Sequence, residues 1–305
     1  MLERELIAKL RSRTRKESGS DVRVSIGDDC AVLSVRDGEE LLVTTDLCIE
    51  GVHFLREWQG PGSIGHWCVT RGLSDIAAMG GRAVAVFLSF ACPRDTSEDW
   101  IGCFFQGVTE TAEKHGATLA GGDVAGFSAA VIADVTVVGA APKGTAVLRS
   151  GARVGDGVYV SGALGAAAAE LKRLQAGELE RRAFEPQPQL QLGQRLRGVA
   201  SAMIDISDGL STDLAHLCEE SGVSAEIDAS AIPVARGATV EDALHGGDEY
   251  QLLFTAPEDV LSRDPRRGQK ATRIGKIVRR RNALVYVREA SGKRALTSKG
   301  WEHRL

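Results

Sequence analysis

Acidic residues in this chain keep falling at the ends of apolar runs, beside Gly, Ser or Thr. Gly27-Asp28-Asp29 opens the run 30–33, and Leu41-Leu42-Val43 leads into Thr44-Thr45-Asp46. Ser74-Asp75 precedes 76–79, Gly121-Gly122-Asp123 closes 117–120, and Met203-Ile204 meets Asp205-Ile206-Ser207-Asp208-Gly209. Gly246-Gly247-Asp248-Glu249 stands before the run 250–254. A fold that buries these runs as strands and helices is expected to hold the carboxylates at strand ends. There they can converge on a cleft, where protons or cations must relieve their repulsion. That is the chemistry of a divalent-metal, phosphate-handling site. Taken singly, each aspartate reads better as a helix cap or turn residue, Asp208 above all; it is six in matched settings that carry the metal reading.

The chain is 305 residues long, enough for two domains or one large α/β domain. Its net charge of -4 excludes a general nucleic-acid surface, and Arg279-Arg280-Arg281 reads as a solvated turn between two β-like runs. Six cysteines (30, 48, 68, 92, 103 and 218) form no C-x-x-C pair and no zinc spacing. With no signal peptide in the sequence, this is the usage of a reduced, cytoplasmic protein. No apolar run reaches the length of a membrane span.

Periodicity predicts strands over 41–45, 83–92 and 129–138, and a helix that carries Ile64, Trp67, Cys68, Ile76 and Met79 up to Gly80-Gly81. Thr96 and Asp99 read as a capping box for a second helix ending at Gly116. The turn-rich stretch 139–157 is the best boundary, dividing the chain into domains 1–142 and 143–305. Beyond it, helices are expected over 163–174, 190–200 and 210–222, the last capped by Ser207 or Asp208. Strands are expected near 158–160, 203–206, 225–227, 250–255, 274–278 and 284–287. The elements mix without a βαβ period, so the fold class is α+β in two domains rather than a doubly wound sheet.

Familiar phosphate-binding devices are missing. Lys143-Gly144-Thr145 has the tail of a phosphate loop without its glycine spacing, Gly151, Gly155 and Gly157 do not make G-x-G-x-x-G, and no protein-kinase motif set occurs. Magnesium prefers hard oxygen ligands and bridges to substrate phosphates, and phosphoryl transfer depends mainly on positioning and charge neutralisation. A carboxylate cluster loading several magnesium ions can therefore replace a lysine-bearing loop.

The motifs themselves resemble a known family. Gly27-Asp28-Asp29-Cys30-Ala31, Thr44-Thr45-Asp46 with Glu50-Gly51-Val52-His53-Phe54, and Leu73-Ser74-Asp75-Ile76-Ala77-Ala78-Met79-Gly80 are similar to the thiamine-monophosphate kinases. So are Gly121-Gly122-Asp123, Leu148-Arg149-Ser150-Gly151, the segment from Ile204 to Leu210, Gly246-Gly247-Asp248-Glu249-Tyr250 and Lys299-Gly300-Trp301-Glu302-His303, in the family's order along nearly the whole chain. The resemblance implies transfer of the ATP γ-phosphate to thiamine monophosphate. It also implies the two-domain α+β fold of aminoimidazole-ribonucleotide synthetase, with a homodimer formed through the N-terminal sheet. By resemblance, Asp29, Thr44, Thr45, Asp46, Asp75, Asp123, Asp205 and Asp208 hold magnesium ions. Gly122, Asp123, Arg149 and Ser207 meet ATP, while His53, Asp248 and Trp301 line the substrate site. No dedicated general base is expected, because the acceptor phosphate is already anionic at neutral pH.

The chain departs from the family pattern in places. The usual Gly-Gly-Glu-Asp-Tyr is here Gly246-Gly247-Asp248-Glu249-Tyr250, which leaves the substrate contact open between Asp248 and Glu249. Val124-Ala125 lacks the hydroxyls common after Gly-Gly-Asp, Gln189 stands where an arginine is usual, and Gly165-Ala166-Ala167 replaces a polar stretch. Two alternatives stay open: another ATP-using enzyme of the same superfamily, or a nucleotide-binding regulator without turnover.

Overall fold

The computed structural model describes residues 3–13, 21–26, 30–257 and 271–301. They form two compact units, one of Met1–Ile76 with Gly81–Gly144, the other of Ala77–Gly80 with Thr145–Leu305. Each mixes helices and strands, the α+β class expected from the irregular order of elements. Among the described residues no helix is long and apolar enough to cross a membrane.

The first unit contains α1 (Glu3–Arg13), β1 (Val22–Val24), β2 (Val32–Leu33), β3 (Glu39–Ile49), α2 (Pro61–Ala78), β4 (Arg82–Pro93), α3 (Glu98–Lys114), β5 (Thr118–Phe127) and β6 (Ile132–Pro142). Its four-stranded sheet runs β3-β6-β4-β5, antiparallel except for the β4–β5 pair. The strands alternate as half-buried strands do, and Val86, Leu88, Phe90, Val135 and Val137 are buried. Phe90 meets Phe104 and Phe105 of α3 at ring distances of 4.8 and 5.3 Å. The apolar stripe of α2 (Ile64, Trp67, Cys68, Leu73 and Ile76) is buried too. Gly72 lets that helix lie close to the sheet: a Cβ there would stand 2.6 Å from Cγ2 of Val137 and 3.5 Å from the Thr44 methyl. On the other face, Val22 and Leu33 pack with Val84, Ala85, Ala120, Val138 and Ala140. That cover stops short of β3, where Leu41, Val43 and Leu47 remain 51%, 65% and 47% exposed.

The second unit contains β7 (Gly157–Val160), α4 (Ala166–Gln175), α5 (Leu190–Leu196), β8 (Ala202–Ile206), α6 (Leu210–Glu220), β9 (Ser224–Asp228), α7 (Val240–His245), β10 (Gln251–Ala256), β11 (Thr272–Val278), β12 (Val285–Glu289) and β13 (Gly292–Ala295). Its strands order as β13-β12-β9-β11-β7-β10-β8, so β8 lies at one edge. Leu210, Leu214, Leu217 and Cys218 of α6 join Val158, Val160, Ile204, Ile206, Leu253 and Ile277 in one buried core.

The structure revises several expectations. Asp46 and Asp123 do not end strands: β3 continues to Ile49 and β5 to Phe127. Ladder bonds come from the backbone, so pairing of Asp46 with Val135 carries the strand past the point where the apolar run stops. Asp75 lies within α2, the helix expected up to Gly80-Gly81, and so is not at a strand end either. The helix expected after Thr96 is capped by Ser97, whose Oγ accepts the N–H of Trp100 at 3.2 Å. Neither Ser207 nor Asp208 caps α6; the cap position is Gly209, which has no side chain to do so.

An alanine at position 72 gains about 1 kcal/mol of helix propensity, but overpacking against Val137 costs about 1–3 kcal/mol. Gly72→Ala is therefore expected to lower the urea midpoint of the protein; an unchanged or raised midpoint would show that the approach of α2 to the sheet is slack.

Candidate functional site

In the first unit the sequence-predicted residues Thr44, Asp46 and Asp75 come together. Register puts Thr44 opposite Val137 and Asp46 opposite Val135, both fully buried, so these β3 side chains share the face that α2 covers. The Thr44 hydroxyl donates to Oδ2 of Asp75 on α2. Oδ2 of Asp46 is buried and accepts no hydrogen bond. Burial first, then the charge of Asp75, pushes the Asp46 carboxyl up to about 6, while Arg71 partly offsets this and Asp134 adds to it. An acceptor-only group kept from water and set near like charge is a place where a cation can be accommodated. Farther along the same strand face, the Cys48 and Cys68 thiols are in contact. The hydrogen bond with Cys48 and then burial push the Cys68 thiol well above its ordinary range.

Thr45, Asp123 and Gly122 are placed differently. The Thr45 hydroxyl donates to Oδ1 of Asp134 on β6 at 2.9 Å, on the other face of β3 from Thr44 and Asp46. Asp123 is exposed, and its Oδ1 accepts the N–H of Val124 at 2.9 Å. In register it belongs to the row of Ser89, Asp134 and Leu47, three strand spacings or about 14 Å from β3. Gly122 has φ 150°, and a Cβ there would lie 1.9 Å from the Leu88 carbonyl oxygen, so its bareness already serves the pairing with β4. His53 follows β3 in a turn: its Nδ1 accepts the N–H of Ile49 at 3.0 Å. In the neutral ring the proton then belongs on Nε2. Asp29 lies outside the described residues.

In the second unit one turn organises the site. Asp205, 2% exposed, is the penultimate residue of β8, and Ser207-Asp208-Gly209 leads into α6. The backbone of this turn is engaged on several sides. Ile206 and Ser207 carbonyls accept the N–H groups of Tyr250 and Asp248, each at 2.8 Å, and the Asp208 carbonyl accepts that of Trp301 at 3.1 Å. Asp208, Ser207, Asp248 and Trp301 are thus gathered by main-chain bonds, with the Trp301 side chain 51% exposed. Arg149 is elsewhere. It is exposed, and Ser221 holds its carbonyl, while the neighbouring Leu148 carbonyl accepts from Met203 at the start of β8.

The turn rests on a residue that sequence reasoning missed. Asp213, 1% exposed, accepts the N–H groups of Asp208 at 3.2 Å and Gly209 at 3.0 Å from inside the first turn of α6. It reaches back to the amides at and before the cap position, as the inner acid of a capping box does, so the turn is held without a capping side chain at Gly209. Burial, then Asp205 and Asp208, hold the Asp213 carboxyl well above its ordinary value. Asp208, Asp213 and His216 each bring one ligand atom within 4.8 Å of the others. Its spacing from the turn was no guide, since Asp213 sits in the ordinary amphipathic pattern of α6. Asp134, equally missed, is hidden in the alternation of its strand.

Next to this turn, Asp248 (φ 61°) and Tyr250 (φ 51°) adopt left-handed backbone, which costs a non-glycine residue about 1–2 kcal/mol. The Tyr250 hydroxyl donates to Oδ1 of Asp248 at 2.8 Å. Between them Glu249 is buried, and its carboxyl is pushed up to about 7 by that burial against the opposing pull of N–H donors at the start of α4.

Residues 27–142 match the profile of AIR synthase related protein, N-terminal domain, and residues 153–288 that of AIR synthase related protein, C-terminal domain. Thiamine-monophosphate kinase of Haemophilus influenzae is 36% identical over 277 residues, 84% of this chain and 83% of that protein. The crystal structure of thiamine-monophosphate kinase from Stenotrophomonas maltophilia superimposes with a TM-score of 0.84 at 35% identity, covering 94% of this chain and 96% of the other. AaThiL complexed with AMPPCP and TMP superimposes at 0.79 with 30% identity, over 99% and 97% of the two chains.

The raised Asp46 fixes a pH dependence. Its folded value near 6 exceeds the ordinary 3.8, so the fold favours the neutral acid; the benefit is full below about 3.8 and lost as pH rises through 6. Asp46→Asn keeps the neutral shape at all pH values. In chelator, the variant is expected to gain on the order of 1 kcal/mol relative to the parent between pH 4 and pH 8 by urea denaturation. A pH-independent difference would contradict the burial of this carboxylate.

Proposed function

The chain belongs to the thiamine-monophosphate kinases of the AIR synthase related family, and we infer that it uses ATP to phosphorylate thiamine monophosphate, giving thiamine diphosphate. Similarity along almost the entire length to enzymes of that activity carries this conclusion. The geometry adds a donor set suited to the chemistry, led by the buried and unsatisfied oxygen of Asp46.

We propose that Asp46, Asp75 and Thr44, with Thr45, Asp123, Asp205, Asp208 and Asp29, hold several magnesium ions. All are hard oxygen donors, the kind magnesium selects, and the strained ionisation of Asp46 fits a partner that arrives with positive charge. Bound magnesium would supply charge neutralisation for the phosphates. The protein's own groups orient the reactants. Gly122 and Asp123 offer backbone and carboxylate toward ATP, and Ser207 a hydroxyl. Arg149 is exposed and permanently charged, a planar fork for phosphate oxygens. His53, with its proton on Nε2, can donate to the substrate phosphate. Trp301 presents an aromatic face to a cationic thiazolium or to the pyrimidine, and Asp248 provides a carboxylate for the same substrate.

No general base is needed. The acceptor is a phosphate monoester with a second pKa of about 6, so an attacking oxygen is anionic at neutral pH. Transfer is then direct and in line: the acceptor oxygen bonds the γ-phosphorus as the bond to the β–γ bridging oxygen breaks, and ADP leaves. We further propose that the exposed apolar residues of β3 (Leu41, Val43 and Leu47) are covered by a second copy of the chain, forming a homodimer, and that the protein works in the cytoplasm.

Purified protein with ATP and magnesium is expected to form thiamine diphosphate from thiamine monophosphate but not from thiamine, with inversion at a chiral γ-phosphorus. Absence of product despite ATP binding would sink the kinase reading; retention or an isolable phosphoenzyme would sink the in-line step. Asp46→Asn is expected to lower kcat by about 100-fold or more while the protein stays folded. For the dimer, sedimentation equilibrium should find Val43→Lys monomeric where the parent is dimeric. A monomeric parent at micromolar concentration rules the dimer out.

A further inference from the structure

Asp248 and Glu249 are adjacent acids that the sequence leaves interchangeable, yet their surroundings differ sharply. Glu249 is 1% exposed, and its Oε1 accepts the N–H groups of Gly165 at 2.9 Å and Ala167 at 3.0 Å. Those amides open α4, and a carboxylate there gains from both the hydrogen bonds and the helix dipole. Asp248 is only half-buried, with its Oδ1 receiving the Tyr250 hydroxyl. The bend holding the two acids carries left-handed backbone at both Asp248 and Tyr250, a conformation that persists only where the surroundings hold it. On one side the hold is the pair of main-chain bonds to Ser207 and Ile206. On the other side it is the Glu249 carboxylate, turned away from Asp248 into the core.

We propose that Glu249 is a positioning residue: by binding the amides that open α4 it fixes the bend from Gly246 to Tyr250 and thereby aims the Asp248 carboxylate at the substrate. The two acids have separate duties, one structural and inward, one recognising thiamine monophosphate and outward. Length matters at the inner place. Aspartate is shorter by one methylene, about 1.5 Å, and cannot reach both amides without moving the bend. Glutamine keeps an acceptor oxygen at full reach. This inference rests on the reading of Asp248 as a substrate contact.

Steady-state kinetics on the full chain, with magnesium, ATP and thiamine monophosphate, tests it. Glu249→Asp is expected to raise KM for thiamine monophosphate about tenfold while KM for ATP stays within about twofold, since only the substrate carboxylate is misdirected. Glu249→Gln should bring KM for thiamine monophosphate back to within about threefold of the parent. Should the aspartate variant fail to fold, the same selective change in Glu249→Ala serves, read beside its thermal midpoint. A lowered midpoint with an ordinary KM for thiamine monophosphate, or equal rises in both KM values, overturns the proposal. Asp248→Ala distinguishes the two readings. If it weakens thiamine monophosphate while Glu249→Asp does not, this inference fails and the function stands; if the parent itself does not turn over thiamine monophosphate, the functional reading fails.

Discussion

Closely set negative charge held by backbone is the constraint around which this protein is arranged. Asp46 and Asp75 are not loop residues that can swing away from each other; one is fixed in a strand ladder and the other in a helix. Moving either requires moving an element anchored by buried aliphatic and aromatic side chains. The apolar packing of Leu73, Ile76, Val135 and Val137 therefore does more than stabilise the first unit. It supplies the rigidity against which two like charges can be pressed together, and Gly72 sets how near α2 may come.

In the second unit the same problem is solved through the main chain. The turn after β8 spends its carbonyls on Asp248, Tyr250 and Trp301 and its amides on Asp213. A buried acid behind a turn, and another behind the neighbouring bend, bind backbone amides, and in each pair the sequence neighbour or near neighbour is the more exposed acid. Asp213 with Asp208 and Glu249 with Asp248 follow one logic, though they arise from unrelated sequence patterns.

Much of this was legible before any coordinates. The strands near 41–45, 83–92 and 203–206 follow from apolar runs, α2 and α3 from their stripes, and the family from motifs in order. What escaped did so for physical reasons. A side-chain pattern stops at the first carboxylate, whereas ladder hydrogen bonds do not, so Asp46 and Asp123 appeared terminal when they are internal. Ser97 and Thr96 are both good caps, and only the entry angle of the chain decides between them. Asp134 and Glu249 are defined by partners far along the chain, which no local window contains, while Asp213 bonds amides four and five residues back and is set apart only by its burial. Burial depth, which separates Asp248 from Glu249, is likewise a property of the assembled fold.

The two thiols beside Asp46 bear on which metals this protein can tolerate. Cys48 and Cys68 are 2% and 0% exposed, and the Cys68 thiol is kept protonated. Soft ions such as zinc and copper bind thiolate, and releasing its proton in this setting is costly. The Cys68 sulfur is present near the oxygen donors but withheld as a neutral, packed side chain. Discrimination among metal ions at this place would then fall to the oxygen donors rather than to the Cys68 sulfur beside them.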